Sequence, residues 1–291
     1  AGSQPASMTW SSCNHRLEPQ VVMPAIDLVR LRQQVTRLSE FFFLPAEFVR
    51  HLHELLNLYT NPSLRLTQSS TPFSLFTYRT PPIILRTIQQ EVRALAASYP
   101  EYALELADRL WQEEALEMRL LAAFLLGAIP PRSEVLLARL MAWLPQVRDP
   151  QLHAALLETS LARLRREAAD QFLSLVAEWL HPKRPHLWEN GLRALIPLLR
   201  EEHFENFPAV FNLLRPVLES APPTLQVETT EVIQELVHRI PQEAIFTFQR
   251  WLEENPQSNL PSTLRRALPA IPPAFQQQWR AFLSRRPITN H

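Results

Sequence analysis

The chain has 291 residues, 46% hydrophobic and 20% charged, with 29 basic side chains against 29 acidic ones. This is the composition of a folded, soluble protein, and its neutral balance provides no global field to draw in nucleic acid or a basic partner. A single cysteine, Cys13, excludes an intrachain disulfide and any cysteine-based metal cluster.

Residues 1–20 are expected to form a loose tail. It opens on AGSQPAS, read as a foreign remnant ahead of a native start at Met8, and a single domain is expected over 21–291. There is no apolar run long enough to span a bilayer and no signal-peptide pattern, so a cytoplasmic location is expected. Three glycines against 27 prolines leave few hairpin turns but abundant helix punctuation, which predicts an all-α chain. Apolar positions at i, i+3, i+4 and i+7 predict helices over 24–43, 45–60, 82–98, 100–112, 115–128, 133–147 and 150–166. Further helices are predicted over 168–181, 185–201, 205–220, 223–239, 241–254, 260–270 and 272–285. The longest stretch without helical spacing, residues 62–81, is expected to be a loop packed on helices through Phe73, Phe76 and Tyr78, with partner binding as one use for it.

Two series give the helices an order. Leu116, Leu152, Leu187, Leu225 and Leu260 recur at intervals of 36, 35, 38 and 35, each near a helix start. Seven residues beyond each come Ala123, Thr159, Ala194, Val232 and Ala267. The alternate helices end on Trp143-Leu144, Trp179-Leu180, Val217-Leu218 and Trp251-Leu252. A two-helix unit of about 36 residues repeated along the chain marks an α-α superhelix, a HEAT-like or armadillo-like solenoid of about six repeats. Small residues at a fixed place suit close helix contacts, and Trp143, Trp179 and Trp251 are read as core.

The stretch LADRLWQEEALEMRLLAAFLLG, 106–127, with Leu-Trp closing one helix and Glu117 and Arg119 on the next, resembles the HEAT-like DNA alkylation repair family. Trp179 followed by Trp188 is similar to that family's later tryptophan-rich repeat. The resemblance covers about residues 82–285. It implies a curved solenoid whose concave face grips duplex DNA, and in active members a glycosylase that excises cationic alkylated purines. There an aspartate stabilises positive charge at the sugar, tryptophans line the lesion and arginines hold the backbone.

Carried over residue by residue, the implication weakens. The family's Trp-Asp-x-x-Asp helix falls on DPQLHAALLETSLARL, where alanine or leucine stands in place of the inward aspartate. Asp149 reads as an N-cap and Glu158 as a solvated residue. Where the family has paired arginines after a tryptophan, Trp188 is followed by Glu189, Asn190 and Gly191, leaving Arg193 to reach a phosphate. The candidate nucleic-acid-binding residues are Arg119, Lys183, Arg184, Trp188, Arg193 and Arg266; for Trp188 and Trp111, at helix heads or junctions, a surface or groove role stands as the alternative to a structural one.

Other chemistry finds little support. His53-Glu54-Leu55-Leu56-Asn57 places asparagine where a zinc motif needs its second histidine, and no phosphate-cradling glycine loop occurs. The acid pairs Glu113-Glu114, Glu201-Glu202 and Glu253-Glu254 are read as solvated helix ends. No catalytic residue, metal or cofactor is expected. Two functions remain: a non-enzymatic repeat protein that binds another macromolecule, protein or duplex DNA, on its concave face or through the 62–81 loop, or a DNA-binding relative of the alkylpurine glycosylases acting on duplex or alkylated DNA.

Overall fold

The computed structural model describes residues 26–60 and 75–284, so the expected tail with Cys13, most of the 62–81 loop, and Arg285 and Arg286 lie outside the described residues. All the regular elements described are helical. They are α1 (Leu28–Ser39), α2 (Pro45–Leu58), α3 (Pro82–Ser98), α4 (Pro100–Trp111), α5 (Leu116–Ala128), α6 (Ser133–Trp143), α7 (Pro150–Ala154) and α8 (Ala162–Glu167). After these come α9 (Ala169–Trp179), α10 (Trp188–Arg200), α11 (Phe207–Ser220), α12 (Gln226–Arg239), α13 (Pro241–Glu254), α14 (Leu260–Ala267) and α15 (Pro273–Ser284).

The sequence sets these starts locally. Pro45, Pro82, Pro100, Pro150, Pro241 and Pro273 each open a helix, where a missing N–H costs nothing. The Asp27 carboxylate accepts from the Val29 and Arg30 amides at 2.9 and 3.1 Å, capping α1. As expected, Asp149 caps α7 by accepting from the Leu152 amide at 2.9 Å.

Two sets of helices alternate along the chain. α1, α3, α5, the α7–α8 segment, α10, α12 and α14 pack in sequence, each against the next of its set. α2 packs on α4, α6 on α9 and α13 on α15. Between the sets lies one hydrophobic core, in which Ala123, Ala194, Val232 and Ala267 are fully buried, as are Leu152 and Leu260. Trp143, Trp179 and Trp251 are buried too, as the sequence suggests. Trp111, for which a surface or groove role stands as the alternative above, is buried: its ring stacks on Trp143 at 4.2 Å with the planes 3° apart.

The single helix expected over 150–166 is divided. After α7 the backbone widens into a π-helical turn, Ala155–Thr159, in which the Ser160 amide donates to the Ala155 carbonyl at 3.0 Å, five residues back. The buried Ser160 hydroxyl donates to the Leu156 carbonyl. Against this turn lies Gly127 of α5, where an added Cβ would stand 2.0 Å from the Thr159 carbonyl oxygen. α5 and the following unit thus meet backbone to backbone, and a π-turn admits the extra residue without breaking the core packing on either side.

Gly191 is a milder case. A Cβ there would meet the Leu180 side chain at 2.4 and 2.6 Å, so α10 rides close over the end of α9. Because a leucine side chain can turn aside, and alanine is the better helix former, Gly191→Ala is expected to lower stability by about 1 kcal/mol, read as a shifted urea midpoint.

Candidate nucleic-acid interface

Six residues carry the sequence-based case for contact with a polyanion, and their surroundings differ. Arg119 emerges from the first turn of α5, where its Nε donates to the Glu113 carbonyl at 2.9 Å and its guanidinium lies 5.0 Å from the centre of the Trp111 ring. Burial pushes its pKa down, opposed by the nearby charge of Glu114. Arg193, on α10, is gripped from two sides: Nη2 lies 2.8 Å from Glu228 and 3.2 Å from Glu189, and Nε donates to Glu228 at 3.2 Å. Glu228 is buried on α12, only 6% exposed, and that guanidinium is its partner there.

Trp188 is not the exposed group its place at a helix head suggested. It is 5% exposed, and its indole N–H donates to the His181 carbonyl at 3.2 Å, closing the turn between α9 and α10. The same His181 carbonyl also accepts from the Arg184 amide at 2.8 Å, so an indole that is both apolar and a donor fits this corner as a second donor to it. Lys183 and Arg184 are exposed on that turn, with Arg184 paired to Glu178 at 3.0 Å. Arg266 is exposed on α14 and has no partner among the described residues. No hydrogen bond or ring contact joins any two of the six among the described residues.

Sequence reasoning missed the other half of these pairs. Arg165 reaches 36 residues forward to Glu201 at 2.8 Å, and Arg200 reaches 35 forward to Glu235 at 2.8 Å. Arg139 reaches 31 back to Asp108 with two bonds of 2.9 and 2.7 Å. Arg239 spans four backbone carbonyls past the end of α10, those of Leu199, Glu201, Glu202 and Phe204. Arg215 joins Glu254 at 2.7 Å, and His153 meets Asn190 at 3.0 Å. Each of these arginines thus finds its acceptor 31 to 40 residues away in the chain, and Glu201 and Glu254, read as solvated helix ends, are instead partners in these contacts. The signal was present as arginine and glutamate about 35 residues apart, but only helix phase shows that the two side chains face each other.

A second polar cluster also escaped the sequence reading. Glu117, buried on α5, accepts from the Thr77 hydroxyl at 2.9 Å and from the Tyr78 and Arg79 amides at 3.1 and 2.9 Å. Phe76 pairs with the α4–α5 turn through amide-to-carbonyl bonds to Glu114 and from Leu116 at 2.9 and 2.8 Å. These bonds hold Arg79 at φ 51°, the only non-glycine residue at positive φ among those described. His53 sits between the Tyr78 hydroxyl, which faces its Nδ1, and the Glu113 carboxylate, 3.2 Å from its Nε2. No group of three or more histidine, cysteine, aspartate or glutamate side chains suited to a metal occurs among the described residues.

Both halves of this cluster can be tested. Glu117→Gln turns one acceptor into a donor facing backbone N–H groups and is expected to lower stability by about 2 kcal/mol by urea denaturation. Burial, then the charges of Glu117 and Glu113, raise the Tyr78 pKa above 10. The folded form holds this proton more tightly than the unfolded chain. The resulting stability is present below pH 10 and is lost as pH rises through the raised value, so ultraviolet titration should show Tyr78 ionising after the exposed tyrosines.

Among the described residues the regular elements are all helical, in two alternating sets tied together by arginines that reach from one helix to another. A family model described as DNA alkylation repair enzyme matches residues 79–271, and the chain belongs to that family. Neither the curated proteins nor the solved structures compared with it returned a match. Among the described residues no helix is long and apolar enough to cross a membrane.

Proposed function

We propose that the chain is a HEAT-like solenoid of about six two-helix repeats that acts without glycosylase chemistry, binding a macromolecular partner on its concave face in the cytoplasm. The α1, α3, α5, α10, α12 and α14 set supports the curvature, since these helices contact one another more extensively than the outer set does. Helices on the inside of a bend crowd together, so this set lines the concave side.

The observation that carries the functional reading is the neutralisation of Arg193. A phosphate arriving there would have to displace Glu228 and Glu189, and a freed Glu228 would be left as a buried, unpaired charge. Alanine and leucine at the inward positions of the α7–α8 segment leave no carboxylate there to steady an oxocarbenium-like sugar. Incubation with duplex DNA carrying methylated purines tests this: no base release above a buffer control is expected, and enzyme-dependent release would overturn it.

A second reading, duplex-DNA binding without catalysis, is favoured by the family match itself and by Arg265 and Arg266, which are exposed without an acidic partner among the described residues. Those two would supply the phosphate contacts, with Lys183 and Arg184.

A further inference from the structure

The arginines of this chain fall into two groups. From α4 to α13 many of them meet a carboxylate or a carbonyl of a neighbouring unit. On α1 and α3 they do not: Arg30, Arg37, Arg86 and Arg93 are all exposed and none is paired with an acid among the described residues, although the Arg93 guanidinium also lies 5.0 Å from the centre of the Phe124 ring of α5. Those two helices pack side by side and together hold five arginines against a single glutamate, Glu91.

Their placement is ordered. At 100° per residue Val29, Arg30, Gln33 and Arg37 share the solvent side of α1, and Ile83, Arg86, Gln90 and Arg93 share that of α3. Each helix thus presents an apolar residue, an arginine, a glutamine and an arginine, with Val29 67% and Ile83 38% exposed. Just past the C-terminal ends of both helices, Phe43, Tyr99 and Tyr102 form an exposed cluster, with Phe43 5.0 and 5.1 Å from the two tyrosine rings in edge-to-face contact. Arginine and aromatic side chains left uncovered together are the groups that dominate protein interfaces.

We propose that the α1–α3 face is the docking surface for an acidic, amphipathic segment of a partner protein, its carboxylates meeting the four arginines and its apolar side chains covering Val29, Ile83 and the Phe43–Tyr99–Tyr102 cluster. The inference rests on the reading of the chain as a partner-binding solenoid and locates the contact within it. A nucleic-acid backbone matches the charge but offers nothing to the exposed aliphatic groups, and the neutral chain adds no wider attraction for a duplex.

The test uses the full chain and, as probe, a fluorescein-labelled helical peptide of glutamate and leucine, with its lysine-for-glutamate counterpart as control. Anisotropy should show binding of the glutamate peptide alone. The variant R30E/R37E/R86E/R93E should bind at least tenfold more weakly, while R265E/R266E binds as the parent chain does. Should charge reversal unfold the protein, R30Q/R37Q/R86Q/R93Q reads the same loss. The proposal is overturned if the glutamate peptide does not bind at low salt, if the quadruple variant binds it equally, or if duplex DNA takes over the same four arginines. Release of methylated bases would instead overturn the non-catalytic reading while leaving the peptide result to stand by itself, so the two failures are distinct.

Discussion

Gly127→Ala is expected to destabilise the protein by about 3 kcal/mol, well beyond what helix propensity allows in the other direction. The new methyl would stand 2.0 Å from the Thr159 carbonyl oxygen and 3.2 Å from the Ser160 Cα, and both neighbours are backbone. No rotamer change relieves such a contact, so either α5 moves away from the π-turn or the turn itself is rebuilt. Urea denaturation at equilibrium measures the loss, and the fall should exceed that of Gly191→Ala, whose obstacle is a leucine side chain. An unchanged midpoint for Gly127→Ala would mean that α5 and the π-turn do not meet as described.

Arg193→Ala is the second large effect, with an expected loss of about 2 kcal/mol. This lies below the range for fully buried pairs because the Arg193 side chain is 36% exposed, although that of Glu228 is only 8% exposed. Most of the loss should come from Glu228, left charged and buried, so adding Glu228→Gln should restore part of it. A double-mutant cycle across the two positions is therefore expected to show coupling of about 1 kcal/mol or more. Independent effects would indicate that Arg193 faces solvent and is free for another role.

The helices were legible because proline, glycine and apolar spacing act locally. The sequence placed α5, α10 and α12 within a few residues of their observed bounds, and the recurring alanines at 123, 194 and 267 lie in the core. The break in the 150–166 helix was not legible, since nothing in ALLETS differs from an ordinary helical stretch. Its cause is the neighbour: Gly127 brings a second backbone against it, a tertiary effect that no window along the chain contains.

The candidate residues were read from the sequence without their surroundings. Arg119 and Arg193 were picked out by position within the repeat, yet each is engaged by the fold, one over an indole and the other by two glutamates. Trp188 was taken for a surface group because it follows a turn, but its indole plugs that turn from inside. The arginines of α1 and α3 attracted no attention because they lie before the leucine series that begins at Leu116, and only the absence of a paired acid sets them apart. Charge type is visible in a sequence; charge neutralisation is a property of the packed state.

On the function proposed above, the arginines from α4 to α13 are engaged within the fold and do not serve a phosphate backbone. Titration of the full chain with a duplex oligonucleotide at about 50 and 200 mM salt tests this most directly. Weak binding with a shallow salt dependence, unchanged by Arg193→Ala, is the result expected. Tight binding that falls by about a thousandfold between the two salts, and that Arg193→Ala weakens, would contradict it.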